Sequence, residues 1–230
     1  MKKEQLFEKL KGKVIVSCQA LEGEALYRPE GGIMSLMAQA AKNAGAVAIR
    51  AQGVQDIKQI KEQTGLPVIG IIKKNYEGYD TYITATMKEI DELVAVGSEI
   101  IALDCTLRQR GDGLTVAEYI KEIKTKYPEI VLMADISNLE EAIYAEKAGV
   151  DCVGTTMNGY TAYTADSKKF DPELVKAISE NVKIPVIAEG KIHEPHQVKL
   201  ALDSGAHCVV VGGAITRPEE IAKRFISVID

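Results

Sequence analysis

The sequence predicts an α/β fold, a (β/α)8 TIM barrel, built as a single domain over residues 1–230 with a short N-terminal helix. Eight short apolar runs each stop on a polar residue or a glycine, and a segment of helical periodicity follows nearly every run. A chain of 230 residues suits one closed barrel with short loops, since the fold typically takes about 250 residues. The runs are 13–18, 46–51, 66–73, 99–104, 130–135, 151–156, 184–190 and 207–213.

Each run is rich in β-branched residues, and each is too short to form a helix. Both faces of the runs are apolar, which is typical of parallel strands covered by helices. In this fold the chemistry lies where the strands end, so the run-ending residues are candidates for an active site.

The helices are predicted from periodicity and from their end signals. Segment 2–11 predicts a helix with Leu6 and Leu10 on one face, which would cover the N-terminal mouth of the barrel, and a frayed terminus is the alternative. The helices predicted between and after the strands are 33–44, 54–63, 84–96, 115–127, 137–149, 172–180, 194–205 and 216–229.

Several of these helices have recognisable caps. Thr84 is a candidate N-cap, Ser137 with Glu140 matches a capping box, and Asp171-Pro172 has the N-cap and first-turn proline pattern. The last helix carries Ile221, Phe225 and Val228 on one stripe, which more often packs on its own barrel.

The composition indicates a soluble, cytoplasmic protein. The net charge is -5 with no basic stripe, which argues against nucleic acid and anionic membranes as partners. The start MKKEQLFEKLKGK lacks the apolar region of a signal peptide, and no apolar stretch approaches the roughly 18 residues of a membrane span.

The four cysteines lie in or beside the apolar runs without CxxC spacing, which predicts reduced, buried core thiols. A catalytic cysteine would lack a matched histidine motif. Three histidines are too few for a convincing Cys/His metal site, so we expect no metal there.

Glycines end the two C-terminal strands. Gly190 follows the seventh run, and Gly212 and Gly213 end the eighth. Loops at these positions commonly bind phosphate in this fold, and glycine lets the backbone N–H groups approach the anion. The sequence therefore predicts a phosphate site, with simple tight turns as the alternative.

Lys73 ends the most apolar run, where loss of water would lower its pKa and make it a base or a Schiff-base nucleophile. A lysine that keeps its head in water is the alternative. Because residues 69, 71 and 73 share one face of a strand, the pattern favours Lys73 over Lys74 as the inward residue.

Glu189 ends the seventh run and is a candidate acid, since an apolar setting keeps a carboxyl protonated; an ion pair is the alternative. The third and seventh strands of an eight-stranded barrel lie roughly opposite each other. Lys73 and Glu189 would then face each other across a substrate, as the transfer of a proton across a stereocentre requires.

Further polar residues lie near the same end of the barrel. They are Gln19, Arg50, Asp104, Asp135 and Arg217. The two aspartates have the chemistry of a Mg²⁺ site, but contacts to sugar hydroxyls are preferred because only Glu189 accompanies them as a further carboxylate.

Nine segments, in order along nearly the whole chain, resemble the N-acetylmannosamine-6-phosphate 2-epimerases of bacterial sialic acid catabolism. They are IVSCQAL (15–21), AIRAQ (48–52), PVIGIIKKNY (67–76), TATMKEIDEL (84–93), IALDCT (101–106), MADIS (133–137), VGTTMNGYT (153–161), VIAEGKI (186–192) and VVGGAITRP (210–218).

The resemblance implies conversion of N-acetylmannosamine 6-phosphate to N-acetylglucosamine 6-phosphate without a cofactor or metal. It implies Lys73 as the base at C2 and Glu189 as the acid. The sugar contacts that it implies are Gln19, Arg50, Asp135 and Arg217, and the phosphate cradle is Gly190, Gly212 and Gly213. It also suggests a homodimer, through the last helix.

Two other functions remain open from the sequence. One is a Schiff-base aldolase that uses Lys73. The other is a sugar-phosphate sensor without activity, against which the presence of both Lys73 and Glu189 argues.

Overall fold

In the computed structural model, which describes residues 1–229, eight parallel strands pair in sequence order and close into a barrel between β1 and β8. The predicted fold class is therefore confirmed. The strands are β1 (Val14–Cys18), β2 (Ile49–Gln52), β3 (Val68–Ile71), β4 (Ile100–Asp104), β5 (Val131–Asp135), β6 (Cys152–Gly154), β7 (Val186–Glu189) and β8 (Cys208–Val211).

After the first helix, which precedes β1, helices alternate with the strands on the outside of the barrel. They are α1 (Lys3–Leu10), α2 (Ile33–Asn43), α3 (Val54–Thr64), α4 (Met87–Ala95), α5 (Val116–Lys126), α6 (Leu139–Ala148), α7 (Pro172–Asn181), α8 (Pro195–Asp203) and α9 (Pro218–Ile226). Two 3₁₀ turns, at Thr155–Met157 and Ala162–Thr164, follow β6.

The core has two parts. One fills the barrel interior, where Leu6 and Leu10 of α1 join inward residues such as Ile69 and Met133. The position of α1 over the N-terminal mouth confirms the prediction for this helix. Burial of its two leucines stabilises the helix in this position. The other part lies between strands and helices, where Ile60 of α3 is fully buried.

Pairing between β3 and β4 stops early. The register joins Ile69 to Ile100 and Gly70 to Ile101. Beyond that point, segment 82–84 enters between the two strand ends. The Thr84 N–H donates to the Ile72 carbonyl over 2.7 Å, and the Asp104 N–H donates to the Ile83 carbonyl over 2.9 Å.

Two predicted caps are wrong by one or two residues. The N-cap of α4 is Thr86, which forms a capping box with Glu89, because Thr84 has a left-handed φ of +48° and lies outside the helix. The N-cap of α6 is Asn138, whose side chain accepts the Glu141 N–H, so the helix starts one residue later than Ser137 predicts.

The apolar stripe of the last helix does not pack on the barrel. Helix α9 ends at Ile226, short of the predicted residue 229, and the exposed fractions of Phe225 and Val228 are 73% and 81%. The expectation that this stripe covers its own barrel is therefore wrong. The periodicity of apolar residues shows that a helix has an apolar face, but it does not show which surface that face packs against.

The four cysteines are free and buried, as predicted. They are Cys18, Cys105, Cys152 and Cys208. Among the helices of residues 1–229, none combines the length and the apolar character needed to cross a membrane.

Candidate active site

A cavity of about 300 Å³ opens at the carboxyl end of the barrel. It is lined from strand ends β1, β3, β7 and β8 and from the loops after them, as the fold predicts for an active site. The loops after β1, β3 and β6 contribute to it through Leu21, Tyr82 and Tyr160. A second cavity of about 290 Å³ adjoins it beside α9 and shares Gln19 and Arg217 with it.

Lys73 lines this cavity just beyond β3. Burial is the main cause that lowers the pKa of its amine, from 10.5 to about 8, and the nearby charges of Arg50 and Arg217 lower it further. Lys74, by contrast, is exposed and holds its ammonium 5.1 Å from the centre of the Tyr76 ring. The structure therefore places Lys73 inward, as strand alternation predicts.

Glu189, the last residue of β7, also borders the cavity. Burial raises the pKa of its carboxyl from 4.5 to about 7, with a contribution from Asp135 and against the opposing effects of Arg50 and Lys73. Its Oε2 lies 3.1 Å from a guanidinium nitrogen of Arg50. The Glu189 carboxyl therefore has a raised pKa and also forms an ion pair with Arg50, although the sequence offered these as alternatives.

Arg50 and Asp135 lie beneath the cavity rather than on its surface. Their side chains are fully buried and form two hydrogen bonds, Nη1–Oδ1 at 3.1 Å and Nη2–Oδ2 at 2.6 Å. Thr156 joins Asp135 to Glu189, since its Oγ1 is 2.6 Å from Asp135 Oδ1 and 3.2 Å from Glu189 Oε2. Of the two predicted sugar contacts, Arg50 therefore favours the charged form of Glu189, whereas the Asp135 carboxylate opposes it.

Gln19 and Arg217 do reach the cavity. The Gln19 amide donates to Ser17 Oγ over 2.6 Å, and Arg217 forms ion pairs with Glu24 and Glu220, both at 3.2 Å. Both side chains present N–H donors at the mouth of the site.

The three predicted glycines meet at this cavity. Gly190 has a φ of +101°, a conformation that side chains rarely adopt. A Cβ on Gly212 would lie 3.3 Å from Ser17 Cβ, so this backbone passes close to β1. Arg217 and the N-terminus of α9 lie a few residues further on and bring positive charge to this side of the cavity, where the Glu220 carboxylate, paired with Arg217, also lies.

Comparisons with known proteins identify the family of this chain. A family model described as "Putative N-acetylmannosamine-6-phosphate epimerase" matches residues 34–230. The chain belongs to this family. Relatives carry the matching 2-epimerase name in Caldanaerobacter subterraneus, at 51% identity over 97% of this chain and 94% of the relative, and in Clostridium perfringens, at 53% identity over 97% and 100%.

A solved structure of the N-acetylmannosamine-6-phosphate 2-epimerase from Clostridium perfringens superposes on this epimerase-family chain with a TM-score of 0.92. The two chains are 53% identical, and the match covers 97% of this chain and 96% of the other. The family assignment thus extends from sequence to fold over nearly the whole chain.

Several residues of this epimerase-family site were missed from the sequence. Thr156, Tyr160, Lys191 and His193 all line the cavity. The Lys191 ammonium donates to the Asn158 carbonyl and lies 4.4 Å from the centre of the Tyr160 ring. Lys191 directly follows Gly190, and Thr156 and Tyr160 belong to the family-like segment 153–161, so these three could have been found from the sequence. His193 lies just outside the family-like segments, in a loop without a recognisable pattern.

The alternative Mg²⁺ site at the aspartates finds no support in the geometry. Asp104 Oδ2 lies 2.7 Å from an Arg108 guanidinium nitrogen, and Asp104 Oδ1 accepts from the Thr106 hydroxyl over 2.6 Å. Over residues 1–229, no group of three or more His, Cys, Asp or Glu side chains is arranged to hold a metal. Asp104 instead fixes the loop after β4.

Proposed function

We propose that this chain is an N-acetylmannosamine-6-phosphate 2-epimerase, also called N-acylglucosamine-6-phosphate 2-epimerase. It converts N-acetyl-D-mannosamine 6-phosphate to N-acetyl-D-glucosamine 6-phosphate by inverting the configuration at C2. The observation that carries the proposal is that Lys73 and Glu189, from β3 and β7, border the same cavity in a member of this family.

The chemistry needs two groups that exchange protons with C2. The C2 proton is acidic when C1 is an open-chain aldehyde, and its removal leaves an enediolate-like intermediate. Lys73 takes the proton from one face and becomes an ammonium, and Glu189 gives a proton to the other face and becomes a carboxylate. Exchange with water then resets both groups, and the reverse reaction uses them in opposite roles.

The two pKa shifts bring the titration of Lys73 and of Glu189 close to neutral pH, where each group can take up or release a proton. Lys73 with a pKa of about 8 is partly neutral near pH 7.5, and Glu189 with a pKa of about 7 is partly protonated there. Ordinary values of 10.5 and 4.5 would leave both groups in the wrong state at neutral pH. The burial of these two side chains is therefore part of the mechanism.

The surrounding residues stabilise charge and hold the sugar. Arg50 lies under Glu189, and its buried positive charge favours the negative charge that develops on the enediolate. Gln19 and Arg217 supply N–H donors from the cavity wall, where they contact the sugar. Asp135 fixes Arg50 through two hydrogen bonds, so the guanidinium is oriented before the substrate arrives.

The phosphate binds at the β7 and β8 ends. Gly190, Gly212 and Gly213 form the cradle, and Lys191 and Arg217 add positive charge beside it. Binding energy gained at this remote end positions C2 between Lys73 and Glu189.

We further propose that the protein is a cytoplasmic homodimer, built from a single barrel domain over residues 1–230, with the phosphorylated amino sugar of sialic acid catabolism as substrate. No cofactor, metal, nucleic acid or membrane takes part in this scheme. The exposed Phe225 and Ile226 of α9, at 73% and 57%, support a dimer contact through this helix.

Proton NMR of N-acetylmannosamine 6-phosphate incubated with the protein in D₂O tests the function. We expect N-acetylglucosamine 6-phosphate with deuterium at C2, loss of exchange and turnover in Lys73→Ala, and near wild-type rates in the exposed neighbour Lys74→Ala. Wild-type exchange in Lys73→Ala would remove Lys73 from the mechanism. A borohydride-trapped adduct would instead favour an aldolase, and binding without turnover would favour a sensor.

A further inference from the structure

Thr84 has an unusual backbone. Its φ is +48°, and a left-handed conformation is a genuine outlier for a β-branched residue. Thr84 is fully buried, so solvent plays no part in holding this conformation. Such outliers persist where the surrounding structure over-determines them, and they cluster at functional sites.

Three hydrogen bonds hold Thr84 in place. Its N–H donates to the Ile72 carbonyl over 2.7 Å, its Oγ1 accepts the Ile72 N–H over 3.2 Å, and its carbonyl accepts the Tyr119 hydroxyl over 3.0 Å. Two of these bonds lead to one residue, Ile72, which directly precedes Lys73. The third fixes Thr84 to helix α5.

The other side of Lys73 is tied to the same segment. The Lys74 N–H donates to the Tyr82 carbonyl over 2.9 Å, and Lys73 forms an antiparallel bridge with Ile83. The backbone on both sides of Lys73 is therefore bonded to residues 82–84. Since β3 no longer pairs with β4 here, this segment is what sets the direction of the Lys73 side chain.

We propose that Thr84 is a positioning residue for Lys73, and that its left-handed backbone and its hydroxyl together aim the Lys73 amine into the cavity. This inference rests on the proposed function, in which Lys73 exchanges the C2 proton. Thr84 acts only through the backbone at Ile72 and does not line the cavity wall described above.

The charged groups around the Lys73 amine come from four other elements. Arg50, Asp135 and Glu189 belong to β2, β5 and β7, and Arg217 precedes α9. These residues are unaltered by a change at Thr84. A change in the Lys73 titration in a Thr84 variant therefore reports the position of the amine.

The first test measures the titration of Lys73 without substrate. Proteins are labelled with acetic anhydride over a pH series, and mass spectrometry quantifies acetylation at Lys73 with the exposed Lys74 as the internal reference. In Thr84→Val, which keeps the shape but loses the hydroxyl, we expect the apparent pKa of Lys73 to rise from about 8 towards the ordinary lysine value of 10.5. Thr84→Ser keeps the acceptor and should titrate like the wild type.

The second test is steady-state kinetics on the same variants. We expect kcat to fall by about 10-fold or more in Thr84→Val with KM changed by less than about 3-fold, because misplacement of a catalytic group affects the chemical step. The matched control is Thr64→Val, which removes another buried hydroxyl, bonded to Ile60 and Leu66 at the end of α3. It should lose stability without changing kcat or the Lys73 titration.

Wild-type kcat and Lys73 titration in Thr84→Val would overturn the inference. If Thr84→Val does not fold, Tyr119→Phe replaces it, since it deletes only the hydroxyl that donates to the Thr84 carbonyl. It should shift both readouts in the same direction, and no shift in either would overturn the inference. Failure of the wild type to turn over the sugar phosphate would reject the proposed function, while the labelling result would still decide the role of Thr84.

Discussion

Arg50 and Asp135 are held together by two hydrogen bonds, of 3.1 and 2.6 Å, with both side chains fully excluded from solvent. Removing one partner of a buried pair leaves the other charge uncompensated. Here the loss would also reach Glu189, which shares the Arg50 guanidinium.

We therefore expect Arg50→Met to lower the free energy of unfolding by about 3–5 kcal/mol, measured by urea denaturation. The double variant Arg50→Met/Asp135→Leu should recover part of that loss, because no isolated charge of the pair remains. Lys199→Ala, which breaks the exposed Lys199–Asp203 pair, is the control and should cost about 0.5 kcal/mol or less. A loss of similar size in all three variants would contradict this view.

The pH dependence of kcat/KM should be bell-shaped. The forward reaction needs neutral Lys73, with a pKa of about 8, and protonated Glu189, with a pKa of about 7. The neutral amine is lost as the pH falls, and the protonated carboxyl is lost as the pH rises. Activity should peak between about pH 7 and 8 and decline on both sides. A rate that rises to a plateau above pH 9 would exclude Glu189 as the proton donor.

Gly190→Ala should weaken phosphate binding. A side chain at φ +101° is strained, and relief of that strain would move the backbone N–H groups of the cradle. We expect KM for the sugar phosphate to rise by about 10-fold, a loss of about 1.4 kcal/mol of binding. Gly65→Ala, also at a left-handed φ but at the end of α3, is the control. It should affect the melting temperature and leave KM unchanged.

Lys73→Met should stabilise the protein. In the unfolded chain this lysine titrates near 10.5, against about 8 in the folded state, so below pH 8 folding must bury an ammonium. Between pH 8 and 10.5 the folded protein gives up that proton first, and the cost shrinks. We expect a melting temperature about 2–4 °C above wild type at pH 7, and a smaller gain at pH 9.5. An equal gain at both pH values would point to packing instead.

Phe225→Asp should give a monomer if α9 forms the dimer contact. A buried carboxylate at an apolar interface would be strongly unfavourable. Sedimentation velocity measures the outcome, and Leu200→Asp, at an exposed apolar position of α8, serves as the control and should stay dimeric. A wild-type protein that sediments as a monomer at micromolar concentration would reject the dimer itself.

The barrel could be predicted because each strand is a short apolar run with a turn signal behind it. Lys73 and Glu189 were found for the same reason, since the end of such a run is the end of a strand. The burial of Arg50 and Asp135 could not be predicted, because strand ends give position along the barrel and not depth below its mouth. Thr84 was misassigned as a cap because threonine favours that position, and the hydrogen bonds that select its left-handed backbone come from distant residues.

The orientation of α9 escaped prediction for a related reason. A periodic apolar stripe shows that a helix has one water-avoiding face, but the partner of that face is a property of the assembled molecule. The same limit applies to His193, whose Nδ1 lies 2.6 Å from an Arg224 guanidinium nitrogen of α9. Contacts between a loop and a helix 31 residues later leave no local pattern.

The four buried cysteines have a practical consequence. Each thiol is enclosed by the barrel or its helices, and burial raises the pKa of the Cys18 and Cys208 thiols to about 12. Reaction with a thiol reagent must therefore wait for the fold to open. The rate of thiol modification therefore reports the opening of the fold, and it can be measured in dilute buffer without denaturant or an engineered label.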